Sequence, residues 1–197
     1  MVHAWLKRFV FALALSALSG CGINNIPSYD EAVKAGWSEV QNQYQRRADL
    51  VPNLIETVKG FAAQEKEVLT EVVEARAKAT QLSVDANTLN NPEAFQSFLA
   101  NQDALGSALS KLMLVVERYP DLKSNENFLA LQSQLEGTEN RIAVARGDYI
   151  KTVQTYNTEL RTIPGRWWHA LLYSDAQPAE TFTVSEAQTR NPQVSFD

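Results

Sequence analysis

Cysteine and histidine are nearly missing from this 197-residue chain, which has one cysteine, Cys21, and two histidines, His3 and His169. A single cysteine excludes an intrachain disulfide. Bundles that hold two metals use Glu-x-x-His pairs on facing helices, and neither histidine falls in a run of helical periodicity here. A Ser-His-Asp or Cys-His arrangement would have to draw on a histidine in the tail, with no nucleophile motif near it. A Gly-rich phosphate loop is also missing. The chain therefore reads as a non-enzyme with no catalytic residue, no metal ligand and no cofactor. Nor is there an excess of positive charge: 18 Lys and Arg stand against 23 Asp and Glu, a net charge of -5. Without a basic field, nucleic acid is not an expected partner.

Glycine and proline are scarce as well, at 8 and 7 residues. What remains is rich in Ala, Leu, Val, Glu, Gln and Asn, a composition that favours helices. The length suits one sizeable domain with extensions. Internal repeats and low-complexity segments are not evident.

No apolar run reaches the ~20 residues needed to span a bilayer. The longest, Phe9 to Leu18, follows Lys7 and Arg8 and leads into small residues, the proportions of a secretory signal. It closes on Leu18-Ser19-Gly20-Cys21, which resembles the lipobox of bacterial lipoproteins. That resemblance implies cleavage after residue 20 and acylation of Cys21, and two or more acyl chains hold a protein durably on a membrane. Cleavage would also remove Lys7 and Arg8, leaving the mature chain more acidic. In a Gram-negative host, Gly22 differs from the Asp that retains lipoproteins at the inner membrane. Outer-membrane residence facing the periplasm is then the implied address.

The expected fold is all-α, an antiparallel four-helix bundle of long helices over 28–163, after a tether at 21–27 and before an aromatic-containing irregular tail at 164–197. Ser28 to Glu31 has the spacing of a capping box. Behind it Tyr29, Val33, Trp37, Val40 and Tyr44 mark one apolar face to a helix end near Ala48. Pro52 then suits the first turn of a second helix running to about Leu82. Polar turn residues from Asp85 to Pro92 separate it from a third helix, which Pro120 stops. Ser124 is expected to cap a fourth, whose near-heptad stripe includes Phe128, Leu135, Thr138, Ile142, Ala145 and Tyr149. At 1.5 Å per residue these segments measure ~30, 45, 40 and 60 Å. The alternative keeps Pro52 inside one very long first helix, leaving three. The corner is preferred because a continuous first helix would outrun its partners.

Several strings in order carry a family resemblance: Trp37-Ser38-Glu39-Val40, Arg46-Arg47-x-Asp49-Leu50-x-Pro52-Asn53-Leu54-x-Glu56-Thr57-Val58-Lys59-Gly60 and Glu74-Ala75-Arg76. They continue with Glu117-x-Tyr119-Pro120-Asp121-Leu122-Lys123, Asn127-Phe128-x-x-Leu131-Gln132, Thr138-Glu139-Asn140-Arg141-Ile142-Ala143, Tyr149 and Tyr156-Asn157. On these residues the chain resembles LemA-family proteins almost end to end after the signal. The resemblance implies a helical bundle tethered to a membrane by its N-terminus, with no defined chemical activity. Many relatives use a transmembrane segment there, where this chain has the lipid motif. Trp167-Trp168-His169-Ala170-Leu171-Leu172-Tyr173 replaces a shorter apolar segment ending in Gly-Phe.

Nine polar residues fall on or near apolar faces: Arg47, Asp49, Asn53, Arg76, Glu139, Asn140, Arg141, Arg146 and Asn157. They form either a pocket for an anionic group or, as preferred, a hydrogen-bond network that sets helix register. In the second case Arg47, Asp49 and Asn53 should face Glu139-Asn140-Arg141 of the last helix. Glu65, Glu67, Glu71 and Glu74 read as a solvated face. Trp167, Trp168, Leu171, Leu172 and Tyr173 form a candidate interface, suited to a membrane surface, a protein, or the bundle wall itself. The leading functional class is a lipid-anchored scaffold or adaptor that presents its surface to unidentified envelope proteins. The other is a binding module for a small anionic or lipid ligand, held by the polar network or the tail.

Overall fold

The computed structural model describes residues 22–81 and 89–182. The expected signal 1–20, the lipidation residue Cys21 and the last part of the tail, 183–197, lie outside the described residues. Those described form α-helices and no strand: α1 Asn25–Phe61, α2 Lys66–Gln81, α3 Pro92–Val116, α4 Pro120–Lys123, α5 Glu126–Arg161 and α6 Gly165–Leu172.

Helix α1 corrects two sequence expectations. It begins at Asn25, a turn before Ser28, so the Ser28–Glu31 capping box is not used and the Ser28 amide instead donates to the Asn24 carbonyl (3.1 Å). Pro27 lies in the first turn, where its missing amide would have no helical partner anyway. The second correction concerns the expected corner. α1 runs unbroken through Pro52 for 37 residues, and the chain turns instead at 62–65. An internal proline costs ~3 kcal/mol, partly because the carbonyl four residues earlier loses its donor. That carbonyl belongs to Ala48, and Arg76 of α2 donates its Nε–H to it at 2.8 Å. Burial of Ala48, Val51, Leu54 and Val58 around the proline offsets the remainder. The length objection also fails, because α5 is a partner of 36 residues and both helices are ~55 Å long.

A double-mutant cycle tests this repair. Arg76→Met should cost about 1.5–3 kcal/mol beside Pro52. In a Pro52→Ala background, where the Ala48 carbonyl regains a helical donor, it should cost far less. Equal urea-midpoint losses in both backgrounds would rule the coupling out.

Helix directions follow from contacts along each pair. Asn25 Nδ2 donates to Glu159 (3.0 Å), Gly36 lies against Tyr149, and Arg47 bonds Glu139, so α1 and α5 run antiparallel. α2 returns along the second half of α1, and α3 runs back along α2 through Gln102 to Ala79, Lys111 to Glu71 and Arg118 to Glu65. Glu65 is thus no purely solvated acid, since the Tyr119 hydroxyl also donates to it (2.7 Å). Asn91 caps α3 by accepting from the Glu93 and Ala94 amides. Asn125, not the expected Ser124, caps α5 by accepting from Phe128, while the Ser124 hydroxyl turns back to the Pro120 carbonyl.

Buried positions follow a seven-residue register. In α1 they are Val33, Val40, Arg47 and Leu54, alternating with Trp37, Tyr44, Val51 and Val58. In α3 the matching set is Phe95, Gln102, Leu109 and Val116 with Phe98, Leu105 and Leu112. In α5 it is Leu135, Ile142, Tyr149 and Tyr156 with Thr138 and Ala145. Such seams pack with knobs in holes. The core divides into an aromatic cluster around Trp37, Phe95 and Tyr149 and an aliphatic one around Val51, Leu105 and Leu112.

Candidate functional site

The two clusters meet at a polar level. Among the described residues the buried polar side chains are Arg47, Gln102 and Thr138, one from each long seam. The Arg47 side chain is only 6% exposed, whereas that of its carboxylate partner Glu139 is 46% exposed. Arg47 Nη1 donates to Glu139 at 3.1 Å, and Nη2 donates to the Gln102 side-chain oxygen (2.7 Å) and backbone carbonyl (3.0 Å). Gln102 Nε2 in turn donates to the Ala79 carbonyl of α2 at 3.1 Å. Four helices are therefore joined at one height. The guanidinium also lies 5.1 Å from the centre of the Tyr44 ring, a favourable cation–π placement. Burying a cation costs several kcal/mol unless it is paired and its donors are engaged. Here the counter-charge sits at the rim and the neutral acceptors sit inside.

The nine polar residues singled out from the sequence separate accordingly. Arg47 and Glu139 meet at the polar level, and Arg76 repairs the proline gap. Arg141 is exposed and donates to the Thr138 hydroxyl (3.2 Å). Asp49, Asn53 and Asn140 are exposed. The expectation that Asp49 and Asn53 face the last helix is therefore wrong: Asp49 accepts from Gln45, and Asn53 lies one residue, ~100°, off the Leu54 seam position. Gln102 was not anticipated, although it stands seven residues from both Phe95 and Leu109, in a gap of the apolar stripe.

Arg146 and Asn157 serve the tail. Asn157 donates to the Ala179 carbonyl and accepts from the Ala179 amide, both at 3.0 Å, so its amide clamps the returning backbone. The Tyr149 hydroxyl donates to the Glu180 carbonyl (2.8 Å), and burial pushes that phenol's pKa up, which preserves the donor. Phe182 enters the cluster of Trp37, Phe95 and Tyr149, with Arg146 4.4 Å from its ring centre. His169 Nε2 donates to the Ala176 carbonyl (3.0 Å).

The candidate interface divides between two environments, and part of the tail expected to be irregular is the helix α6. It turns back sharply at Gly165, where a Cβ would lie 2.2 Å from the Glu159 carbonyl oxygen, so only glycine fits. Trp168 and Tyr173 pack against the aromatic cluster, whereas Trp167, Leu171 and Leu172 are exposed. Between the start of α1 and the chain that follows α6 lies a recess of about 380 Å³ that includes Asp30, Lys34, Leu172 and Asp175. Its cation is committed, since Lys34 pairs with Asp30 (2.7 Å) and Glu31 (2.8 Å). Those two hydrogen bonds raise the Lys34 pKa. Among the described residues no group of three or more His, Cys, Asp or Glu is placed to hold a metal ion, and no helix is long and apolar enough to cross a membrane.

These features define a class of all-helical protein with heptad seams, a polar level between two cores and a clamped tail. The chain belongs to the LemA family, which residues 36–196 match. It is 25% identical to magnetosome protein MamQ 2 of Paramagnetospirillum magneticum, with 94% of this chain and 74% of that one covered. It is 23% identical to magnetosome protein MamQ of Magnetospirillum gryphiswaldense, covering 80% and 62%. With protein LemA of Metamycoplasma hominis the identity is 23%, covering 64% and 53%.

Proposed function

We propose that this protein is a non-catalytic, membrane-anchored scaffold or adaptor of the bacterial envelope, an antiparallel bundle held by lipid on Cys21 and presenting its surface to envelope proteins. The observation that carries the reading is the order of parts: Leu18-Ser19-Gly20-Cys21 ends three residues before the rigid α1 begins at Asn25, in a chain of the LemA family. Its similarity to MamQ, named as a magnetosome protein, supports a place at a membrane. In a Gram-negative host Gly22 favours the outer membrane, with the bundle in the periplasm.

The reading as a module for an anionic ligand has less support. Both terminal nitrogens of Arg47 are engaged by Glu139 and Gln102, and Lys34 by two carboxylates, so an anion would have to displace existing partners. Radiolabelled palmitate should enter the wild-type protein in cells and not a Cys21→Ala variant, and crosslinking in intact cells should capture envelope proteins on the wild type. Equal labelling of both proteins, or none of either, would defeat the lipid anchor. An acylated protein that captures no envelope protein would defeat the adaptor role.

A further inference from the structure

Helix α6 leaves apolar side chains in the open beside the one it half-buries. Trp168 turns inward, while Ile163, Trp167, Leu171 and Leu172 remain 65, 57, 74 and 56% exposed. Trp167 and Leu171 are four residues apart and so share one face of the helix. A helix at a water boundary normally turns polar residues outward, and a grouped apolar stripe left facing out marks a surface that is covered by something. The other exposed large apolar residues, such as Leu114 and Val144, stand singly along the long helices, which is ordinary for a protein surface.

The location of α6 indicates what covers it. Gly22 has a φ of +87°, and a Cβ there would lie 3.5 Å from Pro164, the residue that precedes α6. Asn25 bonds Glu159 at the same end. The next residue before Gly22 is Cys21, one Cα–Cα step of ~3.8 Å away. A bilayer gripped by acyl chains on Cys21 therefore lies beside α6 without any linker to bridge. Tryptophan settles at the headgroup boundary and leucine below it. Arg161 and Arg166, both exposed and next to this stripe, suit anionic headgroups.

We infer that α6 lays its Trp167–Leu171 face, with Ile163 just ahead of the helix, into the membrane surface beside the acylated Cys21, making a second attachment point. This rests on the lipid anchor proposed above. Two contacts at one end orient the rigid body: residues 22–26 and 159–172 face the bilayer, and the 62–65 turn, at the other end of the ~55 Å α1, points away from it.

Because the chain's single cysteine is used for the lipid, Leu171→Cys supplies a unique thiol for an environment-sensitive fluorophore in the mature acylated protein. Exposed Lys59, near the opposite end of α1, gives the control Lys59→Cys. In phosphatidylethanolamine vesicles containing phosphatidylglycerol, the probe at 171 should shift to the blue and lose most of its emission to brominated lipid, with the probe at 59 unchanged. Acylated, vesicle-bound protein whose probe at 171 stays in water overturns the insertion alone. A blue shift that brominated lipid does not quench places the stripe against protein, such as a second copy, and also overturns it. The mass of the mature chain reports acylation separately, and a chain without acyl mass defeats the anchor and the insertion together.

Discussion

Arg47→Ala is expected to lower the unfolding free energy by about 3–5 kcal/mol, read as a fall in urea midpoint at unchanged slope. Two losses add. The side chain is 6% exposed between the two apolar clusters, so its removal leaves a cavity. Gln102 also loses its donor while buried, at ~1–3 kcal/mol. Glu139, half exposed, rehydrates and contributes little. The combined variant Arg47→Met, Gln102→Leu should recover most of the loss, because apolar residues of similar volume replace buried polar networks at little cost. If the level serves register, the recovered variant should show more than one packing arrangement by NMR. A double variant as unstable as Arg47→Ala would mean that the layer contributes stability rather than register.

Trp37→Ala should cost a comparable ~3–5 kcal/mol, the range for emptying a large aromatic site. Trp37 is 1% exposed, with ring centres of Phe95, Phe98 and Tyr149 at 5.5, 5.3 and 5.3 Å. Phe182 of the tail lies 6.2 Å away, so the same change also loosens the tail. Limited proteolysis should therefore cut the 174–182 segment faster in the variant than in the wild type. A midpoint loss below ~1 kcal/mol, or a tail protected as before, would show that the aromatic cluster does not hold these elements together.

Pro52 shows where a sequence reading is ambiguous. One proline is compatible with the first turn of a new helix and with the interior of an old one, and the local cost favours the former. The structure takes the latter because Arg76, 28 residues after Ala48, supplies the missing donor to that carbonyl and α5 supplies an equally long partner. The polar residues teach a related lesson. Arg47, Asp49 and Asn53 are equally conspicuous in one stretch, but only Arg47 continues the seven-residue series from Val33 and Val40 to Leu54. Gln102 was legible in principle by the same count, as a polar residue in an apolar register.

By itself the sequence determined the helical class, the stripes that become seams and the aromatic character of the tail. These depend on propensity and periodicity, which act within a turn or two of helix. Only the tertiary structure decided where the first long helix turns, which polar residues share a level, and which half of the tail's aromatic cluster is covered. Each of those outcomes balances a local cost against a partner far along the chain, 28 residues for Arg76 and Ala48, 55 for Arg47 and Gln102, 92 for Arg47 and Glu139. A buried cation or an interrupted helix is stable or ruinous according to what the rest of the fold places beside it.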